Sequence, residues 1–422
     1  MKLKHSLVFA AAAFLGISAA HAQVKIYITG STAFRSATNN QIDTLLVGKT
    51  FVGSDTLAKS NAAMWKNGTL AGTAVTVKAA WTGSAAGVQS VAANGASGIQ
   101  VKFLHDLAGT SGHASTDPNA VNNPNSEFEL AIPDVAMSDT FQSTTPFNGT
   151  FNGVTYQNLT DAKVGVVTFK WAASNGFPSG KSMTDRLAKY LYGGLGYLPL
   201  AMWTGASGDE IKSVLAIGRN PDSGTRLTTF AETGYGVALP VKQWKPDFGN
   251  STGVTKQAAS VQLWPVETIN GVSTGVAGNS GEVSGGALAG YLNSTLSTAA
   301  ADPDSFGFTG GYFIGYFGVG DANTAITSAT LPAVELAHNG VTFTQQGVME
   351  GQYTFWGYEH IVKRSDLGNG TTGGPAIKGT FYNNVRDAIL AQSSSTLNPN
   401  VKLSDMQCQR STDGSDITLT YF

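Results

Sequence analysis

Residues 216–230 read AIGRNPDSGTRLTTF: an apolar run ends in Arg219, and a tight polar turn opens into Ser223, Gly224 and Thr225. Ser, Gly and Thr at a helix start can hold an anion. Unpaired main-chain N–H groups point outward there, the helix dipole favours negative charge, and hydroxyls add donors without adding charge. Arg219 would contribute a planar fork of donors that suits oxyanion oxygens. The same residues also read as an ordinary strand–turn–helix connection, with Ser223 as a helix cap and Arg219 in a surface ion pair of little value. Three further segments repeat the pattern of small donors at a turn: TGST (29–32), TGSAAG (82–87) and VAMSD (135–139). Gathered outside the carboxyl ends of a sheet, such turns would make a site for a small tetrahedral anion.

Asp139 needs its own explanation, because a carboxylate repels a bound anion. Phosphate near neutral pH still carries a proton and can donate it to a carboxylate. Sulfate cannot, so one Asp could admit the first ion and reject the second. The competing assignment for Asp139 is a cap on the next helix or a pair with Arg219. Outside the N-terminal segment the histidines are His105, His113, His338 and His360, with no HExxH and no Cys/His cluster. Nor is there a Gly-x-Ser-x-Gly elbow, a Walker motif or a GxGxxG. A phosphatase built on Ser223 would lack a base or metal, so the sequence reads as a binder with no catalytic residues, no metal and no cofactor. Cys408, the single cysteine, is expected to be inert and forms no internal disulfide.

The elements that must position these turns alternate. VKIYITG (24–30), AVTVKAAWTG (74–83), PDVAMSD (133–139), KVGVVTFKWAA (163–173) and SVLAIGRN (213–220) read as strands. Helical segments follow several of them: 31–48, SAAGVQSVAANG from Ser84, KSMTDRLAKYLYGG (181–194) with a capping-box-like Ser182 and Asp185, the run opened by Ser223, and YNNVRDAILAQ (382–392). This order predicts an α/β protein with mostly parallel sheet. SFGFTGGYFIGYFGVG (305–320) is cut by glycines and reads as buried strands. AGTSGHASTDPNAVNNPNSE (108–127) and SSSTLNPN (393–400) read as solvated loops, and the aromatic YTFWGYEH (353–360) as core packing rather than a sugar platform.

The opening MKLKHSLVFAAAAFLGISAAHAQ has a basic start, a short apolar stretch and small residues up to Ala22, the pattern of a secretory signal peptide over 1–22. With no cysteine just after it, a lipid anchor is not expected, and the mature chain should be periplasmic or secreted. The full chain has 26 Lys and Arg against 28 Asp and Glu, and Lys2 and Lys4 leave with the leader. A slightly acidic chain has no broad footprint for nucleic acid or anionic membrane. A terminal β-barrel strand is also disfavoured: Ile417, Leu419 and Tyr421 alternate, and Phe422 falls out of phase.

In order and content these pieces resemble the periplasmic phosphate-binding proteins of ABC-type phosphate importers. The matching segments are ITGSTAF (28–34), TGSAAGVQ (82–89), VAMSD (135–139) and GRNPDSGT (218–225). Weaker matches are LAKYLYGGLGYLPLAMWTG (187–205), FIGYFGVG (313–320) and EGQYTFWGYEHIVKR (350–364). The resemblance spans nearly the whole mature chain. It implies a two-lobed type II periplasmic binding protein fold, with mixed sheets flanked by helices and a ligand cleft at the hinge. Lobe 1 would comprise 23–160 and 306–422, and lobe 2 would comprise 161–305. It also implies Ser31, Thr32, Ala33 and Phe34 as one wall of a phosphate site, and Ser84 as a second hydroxyl donor. Asp139 would be the acceptor, Arg219 the cation, and Ser223, Gly224 and Thr225 the helix-start cradle. The implied partners are inorganic phosphate and an ABC importer permease, with the protein itself a monomer. Two departures stand out. Pro221 occupies the place of the family's Asp two residues after the arginine, leaving open whether Asp222 pairs with Arg219. Ala33 separates Thr32 from the aromatic Phe34, and Arg35 behind it is expected to be a solvated helix residue. The alternatives are a receptor for another oxyanion such as sulfate, or a secreted surface or structural protein that kept the fold and lost the site.

Overall fold

The computed structural model describes residues 23–109, 128–371 and 373–420. The expected leader and nearly all of the 108–127 loop lie outside them. The twelve strands of the main sheet are β1 (Val24–Gly30), β2 (Thr50–Gly53), β3 (Ala62–Leu70), β4 (Thr73–Ala80), β5 (Val135–Ser138), β6 (Thr160–Ala173), β7 (Ser182–Met183), β8 (Tyr197–Pro199), β9 (Lys212–Ala216), β10 (Gly310–Gly318), β11 (Val334–His338) and β12 (Trp356–Lys363). The principal helices are α1 (Arg35–Leu45), α2 (Ser84–Ala93), α3 (Asp185–Gly193), α4 (Gly224–Glu232), α5 (Gly285–Leu292), α6 (Val319–Ile326) and α7 (Gly374–Leu390). No helix among the described residues is long and apolar enough to cross a membrane.

The strands lie in the order β8-β9-β10-β6-β12-β5-β1-β4-β3-β2, with β11 beside β6 and β7. β6 organises the sheet. Its first part, Thr160 to Thr168, pairs with β12, and its second part, Phe169 to Ala173, pairs with β10. β11 joins the second part at Trp171 to Ala173. The fold is mixed α/β with helices flanking a mixed sheet. The expectation of a mostly parallel sheet is corrected. β1–β4, β1–β5 and β9–β10 are parallel, but β6 is antiparallel to every partner, as are β3 to β4 and β12 to β5. β3 and β4 are joined by a tight turn without a crossover helix, which forces the antiparallel direction of that pair.

The aromatics of 353–360 are core, as expected: Tyr353, Phe355 and Trp356 are fully buried. Phe355 stacks on Trp171 of β6 with ring centroids 5.2 Å apart. One apolar cluster runs through these rings from Ile28, Phe34 and Val77 to Tyr192, Val214 and Phe230, so both parts of the sheet share a core. Burying each such side chain contributes roughly 1.5–3 kcal/mol.

Several element boundaries shift. The cap of α3 is Thr184, whose hydroxyl accepts from Leu187 N at 3.2 Å, while Ser182 belongs to β7. α7 starts eight residues before Tyr382, at Gly374 followed by Pro375, a residue pre-set for a first helical turn. Within 305–320 there is one strand, β10, and within 393–400 a short helix, Ser394–Leu397. β10 lies between β9 and the second part of β6, so 310–318 pairs with strands of 161–305.

Candidate anion-binding site

Ser84, Asp139, Gly224 and Thr225 meet at one point. Ser84 opens α2, Asp139 directly follows β5, and Gly224 and Thr225 form the first turn of α4, so three turns converge where β5 ends. The Ser84 hydroxyl donates to Asp139 Oδ1, and Asp139 N donates back to Ser84 Oγ at 3.2 Å. Thr225 Oγ1 donates to Asp139 Oδ2 at 3.4 Å, and Thr228 Oγ1 to the Asp139 carbonyl at 3.0 Å. Gly224 is required by closeness: a Cβ there would stand 1.5 Å from Asp139 Oδ1 and 2.7 Å from Ser84 Cβ. Ser223 is the cap of α4, with Oγ accepting from Arg226 N at 3.3 Å. The Asp139 carboxylate therefore sits on the first turn of α4, gripped by two hydroxyls.

Arg219 is 4% exposed, which excludes the surface ion pair. Its Nε and Nη2 donate to the carbonyls of Glu282 and Val283 at 3.1 and 2.9 Å. Its main chain is clamped: the amide donates to Tyr316 Oη at 3.1 Å, and the carbonyl accepts from Gln243 Nε2 and Arg226 Nη1, each at 3.1 Å. Burial lowers its pKa from the usual arginine value, and the carboxylates of Asp321 and Asp139 oppose that shift, so it stays a cation. Asp222 does not take up the pairing left open at Pro221. It accepts from Asn270 Nδ2 at 2.6 Å, and burial pushes its carboxyl up to about 7. The carboxylate that most opposes the effect of burial on Arg219 is Asp321 on α6, a position that no sequence motif marks.

The expected wall at 31–34 is only partly present. Ser31 Oγ donates to Glu359 Oε2 at 3.3 Å and accepts from Ala33 N at 3.2 Å, so the Ala33 amide is spent locally. Phe34 is fully buried in the core, and Thr32 lines a neighbouring cavity. Arg35 is not a free solvated residue: it is partly buried and its Nη1 donates to Asn61 Oδ1.

Glu359, on β12 beside Asp139, was missed by sequence reasoning. It is fully buried, and Oε1 has no hydrogen-bond partner among the described residues. Burial pushes its pKa well above the carboxylate range, and the charge of Asp139 pushes it further; Ser31 opposes weakly. Burial also raises Asp139, a shift that the Ser84 hydroxyl, Arg219 and the Thr225 hydroxyl oppose. Of the two, Glu359 is pushed further towards the neutral form, the form that can donate. The signal was faint: a Glu inside WGYEHIV, a run that is otherwise apolar or aromatic apart from His360, where charge is costly.

Cys408 is buried, its Sγ 3.6 Å from the Val348 carbonyl, and burial raises its thiol pKa. Among the described residues no group of His, Cys, Asp and Glu has the arrangement of a metal site.

No protein-family model and no curated protein matches the sequence. Solved structures similar in trace include an ABC-type phosphate transport receptor from Vibrio cholerae, at 13% identity and TM-score 0.42, covering 88% of this chain and 96% of that one. A phosphate-binding protein from Stenotrophomonas maltophilia is similar at 12% identity and TM-score 0.40, covering 91% of each chain. A putative phosphate ABC transporter substrate-binding protein with bound phosphate from Clostridium perfringens is similar at 12% identity and TM-score 0.39, covering 90% of this chain and 99% of that one.

Proposed function

We propose that the protein is an exported solute receptor that captures inorganic phosphate and passes it to an ABC importer, without catalysing a reaction. One observation carries the reading: the Ser84 and Thr225 hydroxyls and the first turn of α4 already hold a carboxylate, that of Asp139, with buried Arg219 contributing positive potential beside it. Donors that grip a carboxylate are chemically suited to the oxygens of a tetrahedral anion. In this reading Asp139 withdraws from α4 to accept the ligand's proton, and Glu359 donates from the opposite side. Phosphate with its retained hydroxyl satisfies Asp139; sulfate leaves it facing a bare negative oxygen.

The cleft lies between two lobes, 23–160 with most of the C-terminal third and 161–305 with the strand at 310–318. In this reading β6, paired with β12 along its first part and with β10 along its second, runs from one lobe into the other, and closure over the ligand follows the hinge mode of two-lobed receptors. The periplasmic or secreted location rests on the 1–22 leader pattern.

A second reading has its own observation. The close seat of Asp139 on Gly224 satisfies the cradle from within the chain, as expected of a surface protein that kept the fold and lost the ligand. Titration calorimetry on refolded, phosphate-free protein separates the two. Binding at or below micromolar, about −8 kcal/mol, with no response to sulfate supports the phosphate receptor. No heat from either anion, with folded protein, supports the second reading.

A further inference from the structure

The cavity that Thr32 lines measures about 650 Å³, within the range of small-molecule sites, and lies against the hairpin of Thr268–Ile269 and Val272–Ser273. No residue of the Ser84–Asp139–Arg219–Thr225 cradle lines it, so it is a separate compartment. Its charge is of one sign. Asp222, Glu267 and Glu282 line it, and no lysine or arginine does among the described residues. Arg219 and Arg35 stand behind its wall, bonded to the carbonyls of Glu282 and Val283 and to Asn61. Asp222 uses Oδ2 to accept from Asn270, Glu267 uses Oε2 to accept from Ser280, and Glu282 uses Oε1 to accept from Tyr291. The other oxygen of each carboxylate has no hydrogen-bond partner among the described residues.

A second observation sets these acids apart from an ordinary solvated cluster. Asn220 lines the same cavity and is only 7% exposed. Its main chain is paired with Glu282 and Ser223, yet its side-chain amide has no partner among the described residues. A buried polar group left without a bond costs free energy, which a ligand supplying that bond would recover. Asp222 is also buried, and burial alone lifts its carboxyl to about 7, as expected of an acid with no cation to balance it.

The lining selects the ligand by exclusion. A carboxylate or phosphate group would meet acids and no cation. A lone metal ion fails too, because no group of His, Cys, Asp and Glu among the described residues has the arrangement of a metal site, so the three carboxylates do not converge on one point. Trp81 and Trp264 are 1% and 6% exposed and offer no open ring face for a sugar or an aromatic ring. Separated acceptors, with apolar edges at Ile269 and the exposed Val283, suit ammonium groups joined by methylenes.

We infer that this cavity binds a linear aliphatic polyamine, its ammonium groups on Asp222, Glu267 and Glu282 and the Asn220 side-chain carbonyl as a neutral acceptor. The inference goes beyond the phosphate reading and does not rest on it. Titration calorimetry on the full, phosphate-free chain at about 0.15 M salt, with spermidine, putrescine and magnesium chloride, tests it. Spermidine should bind one to one and about tenfold or more tighter than putrescine, which has one ammonium fewer. Magnesium should give no saturable heat. Asp222→Asn and, separately, Glu267→Gln keep side-chain shape and an accepting oxygen, and each should weaken spermidine about tenfold or more. Several weak sites in place of one, magnesium binding in spermidine's place, or variants that bind spermidine as tightly as the natural protein would each overturn the inference. A response to phosphate but not to spermidine overturns it and leaves the receptor reading standing; spermidine binding without a response to phosphate does the reverse.

Discussion

The densest chemistry is a buried acid pair facing a buried cation, and each member makes its own prediction. Arg219 sits on three main-chain clamps, so truncating it removes charge and leaves the backbone held. Arg219→Ala should keep the fold and weaken phosphate binding about tenfold or more, since charge-assisted bonds contribute roughly 1.5–3 kcal/mol each; calorimetry with a circular dichroism control checks it. Asp139→Asn should narrow the preference for phosphate over sulfate, because an amide can donate to the oxygen that a carboxylate repels. A mutant that still ignores sulfate would place discrimination elsewhere. Asp222 gives a pH signature. Its carboxyl titrates near 7 in the fold against an ordinary value of 3.8. Between those values the native state binds more protons than the unfolded one, so stability falls as pH rises and levels off above about 7. The slope is at most about 1.4 kcal/mol per pH unit. Urea midpoints at pH 5 and 8 should therefore differ less in Asp222→Asn than in the natural protein.

Among the elements, α4 brings the site together, and its start was plain in the sequence. Ser223 before Gly224 and Thr225 is a cap with a mechanism, and the structure uses it as one. Ser223→Ala should lower stability by about 1 kcal/mol, read as a shift in urea midpoint at unchanged slope. The strands feeding the site were legible because VKIYITG, VAMS and SVLA are β-branched or apolar runs ending in turn residues. β3 was not: AAMWKNGTL breaks its alternation at a bulge between Trp65 and Gly68, with Asn67 at positive φ. Local pattern reading also fails where strand direction is concerned, since nothing in KVGVVTFKWAA says that its neighbours run antiparallel. For the site, turns with several small donors announced Ser84, Asp139 and Thr225. Glu359 and Asp321 were hidden because each is one acidic residue in an unremarkable segment, brought in only by the register of β12 against β5 and by the packing of α6.

At the scale of the molecule, Ser84 and Asp139 come from the part of the sheet around β1, while Arg219 and α4 follow β9 in the other part. A ligand held by both parts should draw them together, so small-angle scattering should give a smaller radius of gyration with saturating phosphate than without; an unchanged radius would count against closure. The strand that joins the parts has a thermodynamic consequence as well. β6 is a single run of 14 residues laddered to β12 along its first stretch and to β10 and β11 along its last. If either part melts, the other loses main-chain partners along the same strand and one wall of their common aromatic core. The two parts are therefore not autonomous folding units. Heat should take them apart in one cooperative endotherm, and neither excised half should refold by itself.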